Sequence, residues 1–286
     1  MKFATFIHAG GEQVGVVNLD TERVHPLLAR DMLEVIALYP VHGSTASYDG
    51  AGIALSEVQL LAPLPRPERN IFCVGKNYRE HAQEFSRSGY EAGAVAGAEI
   101  DAYPAVFTKP GSSVVGTEAV IDLHAAITSE VDYEGELAVI IGKPGRNIAV
   151  GHAMEHVWGY TIINDVTARD RQKNHRQWLL GKGLDTFCPM GPWIVTADAL
   201  QANKLRVQTW VNGELRQDGN TADLLFSIPE LISTISAGMA LKPGDVISTG
   251  TPAGVGIGMV PPRFLQPGDS VSVVIDGIGT LRNHFA

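Results

Sequence analysis

Between Val131 and Gly142 the chain reads Val-Asp-Tyr-Glu-Gly-Glu-Leu-Ala-Val-Ile-Ile-Gly, acidic residues leading directly into an unbroken apolar stretch. Side chains alternate faces along a strand. Glu134 and Glu136 therefore share a face with Ala138 and Ile140, a face that turns apolar within two residues. Such a strand belongs in an interior, where two like charges side by side are unfavourable unless something positive joins them. Asp165 ends a second apolar run, Ile162-Ile163-Asn164-Asp165, and is a third carboxylate candidate. Three converging carboxylates suit a hard divalent cation, Mg²⁺ or Mn²⁺, with open positions for water and substrate. A solvated strand edge, or pairing with Arg and Lys, is the alternative.

The 286 residues suffice for one or two domains with a core that needs no staples. Prolines at 63, 65 and 67 force an extended passage, because proline can neither continue a helix nor donate to a central strand. They divide a small β-rich N-terminal domain, residues 1–66, from a larger one, residues 67–286. In the first, Lys2–His8 and Gln13–Asn18 read as strands around a turn at 9–12, and Leu27–Leu38 has helical apolar spacing. In the second, Val131–Ile141 reads as one long strand and His156–Asp165 as another after a short helix. Asn212-Gly213 and Asp276-Gly277 each read as two-residue hairpin turns. The expected class is mainly β with peripheral helices (α+β), a sandwich or roll and not a doubly wound sheet.

Several functional classes are excluded at this level. With 22 basic and 31 acidic residues the net charge is −9, which would repel a phosphate backbone, so no nucleic-acid partner is expected. No apolar run approaches the length of a membrane span, so no membrane partner is expected. The first residues turn polar too soon for a secretory signal. Cys73 and Cys188 have no CxxC companion and read as two buried thiols. A reducing, cytoplasmic setting is the expectation.

A second cluster is Val74-Gly75-Lys76-Asn77-Tyr78-Arg79-Glu80-His81-Ala82-Gln83-Glu84, read as a strand, a glycine turn and a helix. His81 and Glu84, three apart, share a helix face. A carboxylate beside an imidazole fixes its tautomer and raises its basicity, which makes either a general-base dyad or an ordinary surface pair. Lys109, at a strand end, and Lys182, in Gly181-Lys182-Gly183, are positioned to hold an anion or an oxyanion, or else are solvated. The loop Gly250-Thr251-Pro252-Ala253-Gly254-Val255-Gly256 lets backbone amides approach a ligand, or is a tight turn beside the core. It is not a P-loop, since no Gly-Lys-Ser/Thr follows.

In order along the chain, VGKNYREHAQE, FTKPGSS, DYEGELAVIIG, NDVTARD, GKGLDTFCPMGPW and GTPAGVG resemble the motifs of the fumarylacetoacetate hydrolase family. The resemblance covers nearly all of residues 70–286, and the residues before 66 resemble the small N-terminal unit of the longer prokaryotic members. It implies a mixed β-roll and a Mg²⁺- or Mn²⁺-dependent site. Glu134, Glu136 and Asp165 would be the metal ligands, His81 and Glu84 the water-activating dyad, and Lys182 a catalytic group facing substrate. Lys109, Arg169, Gln172 and Thr251 would contact substrate. Family members are commonly dimers.

The activity expected first is hydrolysis of a carbon–carbon bond in a 2,4-dioxo acid, with water activated by His81–Glu84 and an enolate stabilised by the cation. Decarboxylation of an oxaloacetate-type acid and isomerisation of a hydroxymuconate-type acid share the same ligands and are the alternatives. A metal-binding module without turnover comes last, because His81 and Glu84 are both present. The small-residue segment from Ser86 to Ala102 is expected to form a lid over the substrate.

Overall fold

The computed structural model describes residues 1–39, 50–90 and 102–286; residues 91–101 of the expected lid lie outside them. The architecture is dominated by sheets, with short helices around them. The largest sheet has twelve strands among the described residues. Its central path runs Lys2–His8, Cys188–Thr196, Val157–Asn164, Gly135–Ile141, Val246–Ser248, Ile71–Gly75 and Ala105–Lys109. The N-terminal strands join it directly, since Lys2 and Phe3 pair with Val195 and Ile194. A five-stranded sheet contains Glu214–Asn220, Arg206–Val211, Ser270–Ile275, Gly279–Phe285 and Val120–Ile121.

The strand Gly135–Ile141 is buried along its whole length. Leu137, Val139 and Ile141 pack in one cluster with Val207, Val273 and Leu281 of the second sheet. Ala138 and Ile140 face the other way, into a cluster with Phe3, Val35 and Trp158. Burial on both faces explains the near-continuous apolar run. Where the sheets press closest, Gly135 leaves no room for a Cβ, which would overlap the Thr209 hydroxyl.

Among the described residues five helices surround the sheets: α1 (Met32–Leu38), α2 (Arg79–Arg87), α3 (Arg169–His175), α4 (Leu179–Lys182) and α5 (Ile228–Ser236). None is long and apolar enough to cross a membrane. Cys73 and Cys188 are buried, unbridged thiols, and burial pushes Cys188 up to about 12.

Four local expectations need correction. The first helix starts at Met32, not Leu27, because the Leu27 amide still bonds Val14 O and Asp31 caps the helix through the Glu34 amide. The first hairpin turns on Ala9 and Gly10 alone, both at positive φ, so its second strand begins at Gly11. The Asn212-Gly213 turn joins paired Val211 and Glu214, as expected for two residues. The Asp276 turn has three residues, because Ile275 pairs with Gly279. The expected strand Val131–Ile141 is interrupted at Tyr133 and Glu134, with consequences for the site.

Candidate active site

The interruption is local. Val131–Asp132 pairs with Thr167–Ala168, and Gly135–Ile141 pairs with Val157–Asn164. The antiparallel register carries through the gap unshifted, so Glu134 stands opposite Asp165. The Asp165 amide donates to Glu134 O at 2.8 Å, and the Asn164 side chain accepts from the Glu134 amide at 3.0 Å. The backbone is thereby satisfied where the ladder is broken, as buried amides require. Cross-strand neighbours on one face lie close together. Glu134, Glu136 and Asp165 are all buried, with one carboxylate oxygen of each within 4.8 Å of the others.

Cations neutralise this cluster unevenly. Lys182 Nζ lies 2.7 Å from Glu134 Oε2 and 2.7 Å from Asp165 Oδ2. Lys109 Nζ lies 2.6 Å from Asp165 Oδ1, and Arg169 Nη1 lies 2.7 Å from Glu134 Oε1. Glu136 is held by neutral donors, the Ser248 hydroxyl at 2.5 Å and the Gly250 amide at 2.9 Å. Burial raises the Glu134 carboxyl, but Lys182, Arg169 and His81 outweigh it and hold the group at about 2. Glu136 is pushed well above the usual carboxylate range by burial and by Asp165 and Glu134 beside it. Hard oxygen donors at this spacing, one of them lacking positive compensation, fit a divalent cation that would take the place of the Glu136 proton.

The helix α2 follows the strand Ile71–Gly75 and buries His81, Ala82 and Phe85. His81 Nδ1 lies 3.1 Å from Glu84 Oε2. The expected dyad is therefore a real contact, 5% and 14% exposed at its two side chains and not a surface pair. Glu84 in turn accepts from the Gly254 amide at 3.0 Å. Amides of the 250–257 loop thus serve this chain's own carboxylates: Gly250 binds Glu136, Gly254 binds Glu84, and Gly256 and Ile257 bind Asp132. The Thr251 hydroxyl donates to Gly135 O at 3.0 Å and accepts from Gln217 Nε2 at 2.7 Å. Gln172 lies beside Arg169, its Oε1 3.2 Å from Nη1.

His81, Glu134, Glu136, Arg169, Gln172, Lys182 and Thr251 line one cleft of about 290 Å³ of empty space, its open mouth included. Lys109 lies behind the cluster, fully buried against Asp165.

Two groups of site residues escaped the sequence reading. Asp132 is fully buried, accepts from the Gly256 amide at 2.7 Å and pairs with Arg169 at 2.9 Å. It shares the even-numbered parity of Glu134 and Glu136, a signal that was there to use. Trp178 and Phe107 form an aromatic wall of the cleft, and no local pattern marks them.

Comparison with known proteins places the family and the fold. A family profile described as "Fumarylacetoacetate (FAA) hydrolase C-terminal" matches residues 70–286, and one described as "Rv2993c-like, N-terminal" matches residues 1–63. The chain is 53% identical over 233 residues to a Bacillus subtilis protein named oxaloacetate tautomerase YisK, covering 81% of this chain and 74% of that one. A solved fumarylacetoacetate hydrolase from Exiguobacterium antarcticum superposes with a TM-score of 0.85 at 45% identity, covering 100% of this chain and 99% of that one. A 5-carboxymethyl-2-hydroxymuconate delta-isomerase from Mycobacterium smegmatis superposes with a TM-score of 0.79 at 36% identity, covering 100% and 98%. The motifs, the sheet-dominated architecture, the buried acidic cluster and these matches agree: the chain belongs to the fumarylacetoacetate hydrolase family.

Proposed function

We propose that this protein is a divalent-cation-dependent tautomerase of short 2-oxo dicarboxylic acids of the oxaloacetate kind. The observation that carries the reading is that His81, in buried contact with Glu84, lines the same cleft as Glu134 and Glu136, two members of the three-carboxylate cluster. The 53% identity to a protein named for oxaloacetate tautomerisation supports it.

Glu134, Glu136 and Asp165 would hold the cation. When bound, Mg²⁺ or Mn²⁺ supplies Lewis-acid stabilisation of negative charge on the 2-oxo oxygen. The chain's own residues do the rest. Glu84, fixed by the Gly254 amide, accepts a hydrogen bond from Nδ1–H of His81 and so holds the proton on that nitrogen. Nε2 of His81 is then the nitrogen available as base: it takes a proton from substrate C3 and returns it to oxygen through the same imidazole. Lys182 and Arg169 neutralise Glu134, which lowers the repulsion an anionic substrate meets in the cleft.

The expected hydrolysis of a 2,4-dioxo acid becomes the second reading. It is favoured by the same dyad, which can take its proton from water instead of carbon. The test is one assay pair on Mn²⁺-supplemented protein. Oxaloacetate is added as its enol and its absorbance decay is followed, and acetylpyruvate is added and pyruvate release is measured. Accelerated enol decay without acetylpyruvate cleavage is expected. Cleavage of acetylpyruvate with no effect on enol decay would establish hydrolysis in its place.

A further inference from the structure

Part of the cleft lining is aromatic: Phe85, Phe107 and Trp178. Trp178 and Phe107 meet edge to face, with centroids 5.1 Å apart and planes at 71°. Phe85 of the dyad helix meets the Trp178 ring from another side, at 6.2 Å and 67°. The ring lies directly on Gly75, where any Cβ would overlap Cζ3 and Cη2. Gly75 takes no positive φ, so the need for glycine here is space, not backbone conformation.

Trp178 is also tied to the charged side of the cleft. Its carbonyl accepts from the amides of Gly181 and Lys182, at 2.9 and 3.0 Å, which fixes it at the start of α4. The other end of that helix carries Lys182, whose ammonium lies 5.2 Å from the Phe107 ring centroid and bridges Glu134 and Asp165. One residue, Phe107, thus contacts both the ammonium beside the carboxylates and the indole. Trp178 is only partly buried and lines the cleft.

We propose that Trp178, seated on Gly75, is the specificity-determining residue that limits the length of the substituent a 2-oxo acid carries beyond its oxo group. The proposal rests on the function proposed above. It names the substrate class as 2-oxo acids with a tail of one or two carbons, selected by an apolar stop. Any second carboxylate of a short diacid turns toward Arg169 and Gln172.

Binding tests this without depending on which reaction follows. Dissociation constants of oxalate, which has no tail, and 2-oxohexanoate, which has a four-carbon tail, are measured by calorimetry on Mn²⁺-loaded protein. The wild type binds oxalate and discriminates against 2-oxohexanoate. In Trp178→Ala the relative affinity for 2-oxohexanoate rises by about tenfold or more, the scale of methylene misfit in a pocket, and Trp178→Phe lies between. Gly75→Ala shifts the ratio when Trp178 is present and not when it is Ala, the coupling expected of groups in contact. Unchanged ratios in the Trp178 variants, with oxalate still bound, would overturn the length limit and leave the proposed function standing. Failure of the wild type to bind oxalate would overturn both.

Discussion

The Lys182 ammonium lies 2.7 Å from both Glu134 Oε2 and Asp165 Oδ2, bridging carboxylates that stand opposite each other across an interrupted strand pair. Burial lowers the Lys182 pKa, but Asp165 and Glu134 outweigh it and the net shift is upward, so the group is charged. Removing one member of a buried pair leaves the others uncompensated, at a cost of about 3–5 kcal/mol. Lys182→Met is expected to lose stability on that scale without metal, read as a lower thermal midpoint. Added Mn²⁺ should raise it by more than in wild type, because the freed negative charge favours a cation. Thermal unfolding with and without Mn²⁺ measures both; an unchanged midpoint contradicts the bridging role.

The cluster also gives stability an acid limb. The folded-state pKa of Glu134 is about 2, below the ordinary value of 4.5. Its ion pairs contribute stability that is fully present above the unfolded value and lost as pH falls from about 4.5 toward about 2. Glu136 acts in the opposite sense: its raised pKa erodes stability as pH rises above the ordinary value. In metal-free protein, denaturation at about pH 5 and about pH 3 should show wild type losing more stability than Glu134→Gln. Equal losses in the two would remove Glu134 from the account.

His81→Ala should reduce proton transfer by about 10²–10⁴-fold, the range for a placed general base. Mn²⁺ affinity should persist, because His81 is not among the three carboxylates. Enol-decay rates and calorimetry on the same preparation separate the two effects. Full activity in this variant contradicts the dyad, and joint loss of activity and metal points to a structural role instead.

Asp132 and Arg169 are a buried pair, 2.9 Å apart, reinforced by the Gly256 and Ile257 amides at 2.7 and 3.1 Å. Each single alanine variant should be destabilised by about 3–5 kcal/mol. The double variant should lose less than their sum, since residues in contact couple by about 0.5–3 kcal/mol. Strict additivity in denaturant midpoints would mean that the pair does not act as a unit.

What the sequence made legible was local. Period-two spacing put Glu134 and Glu136 on one face, and a three-residue helical step put His81 beside Glu84. The two readings of the acidic cluster, cation site or pairing with Arg and Lys, turn out to divide between its members. Glu134 and Asp165 have basic partners, whereas Glu136 has a hydroxyl and an amide. What stayed hidden depends on long-range contact. The jog at Tyr133–Glu134 exists because the Asn164 side chain satisfies the freed amide from another strand. The glycine loop's amides meet Glu84 and Asp132, more than a hundred positions away along the chain. The Trp178 wall requires Gly75 and Phe107, which no spacing rule joins to it.

The proposed chemistry depends on Glu134, Glu136 and Asp165 together holding one divalent cation. Its most direct test is Mn²⁺ calorimetry on wild type and Glu136→Gln side by side. Glutamine keeps an oxygen to accept from Ser248 and Gly250 and removes a repelled charge, so the fold should survive. One Mn²⁺ site per chain is expected in wild type, with affinity weakened by about tenfold or more in the variant, as for loss of a group that supports a metal site. No Mn²⁺ binding to wild type, or equal affinity in a folded Glu136→Gln protein, would contradict it.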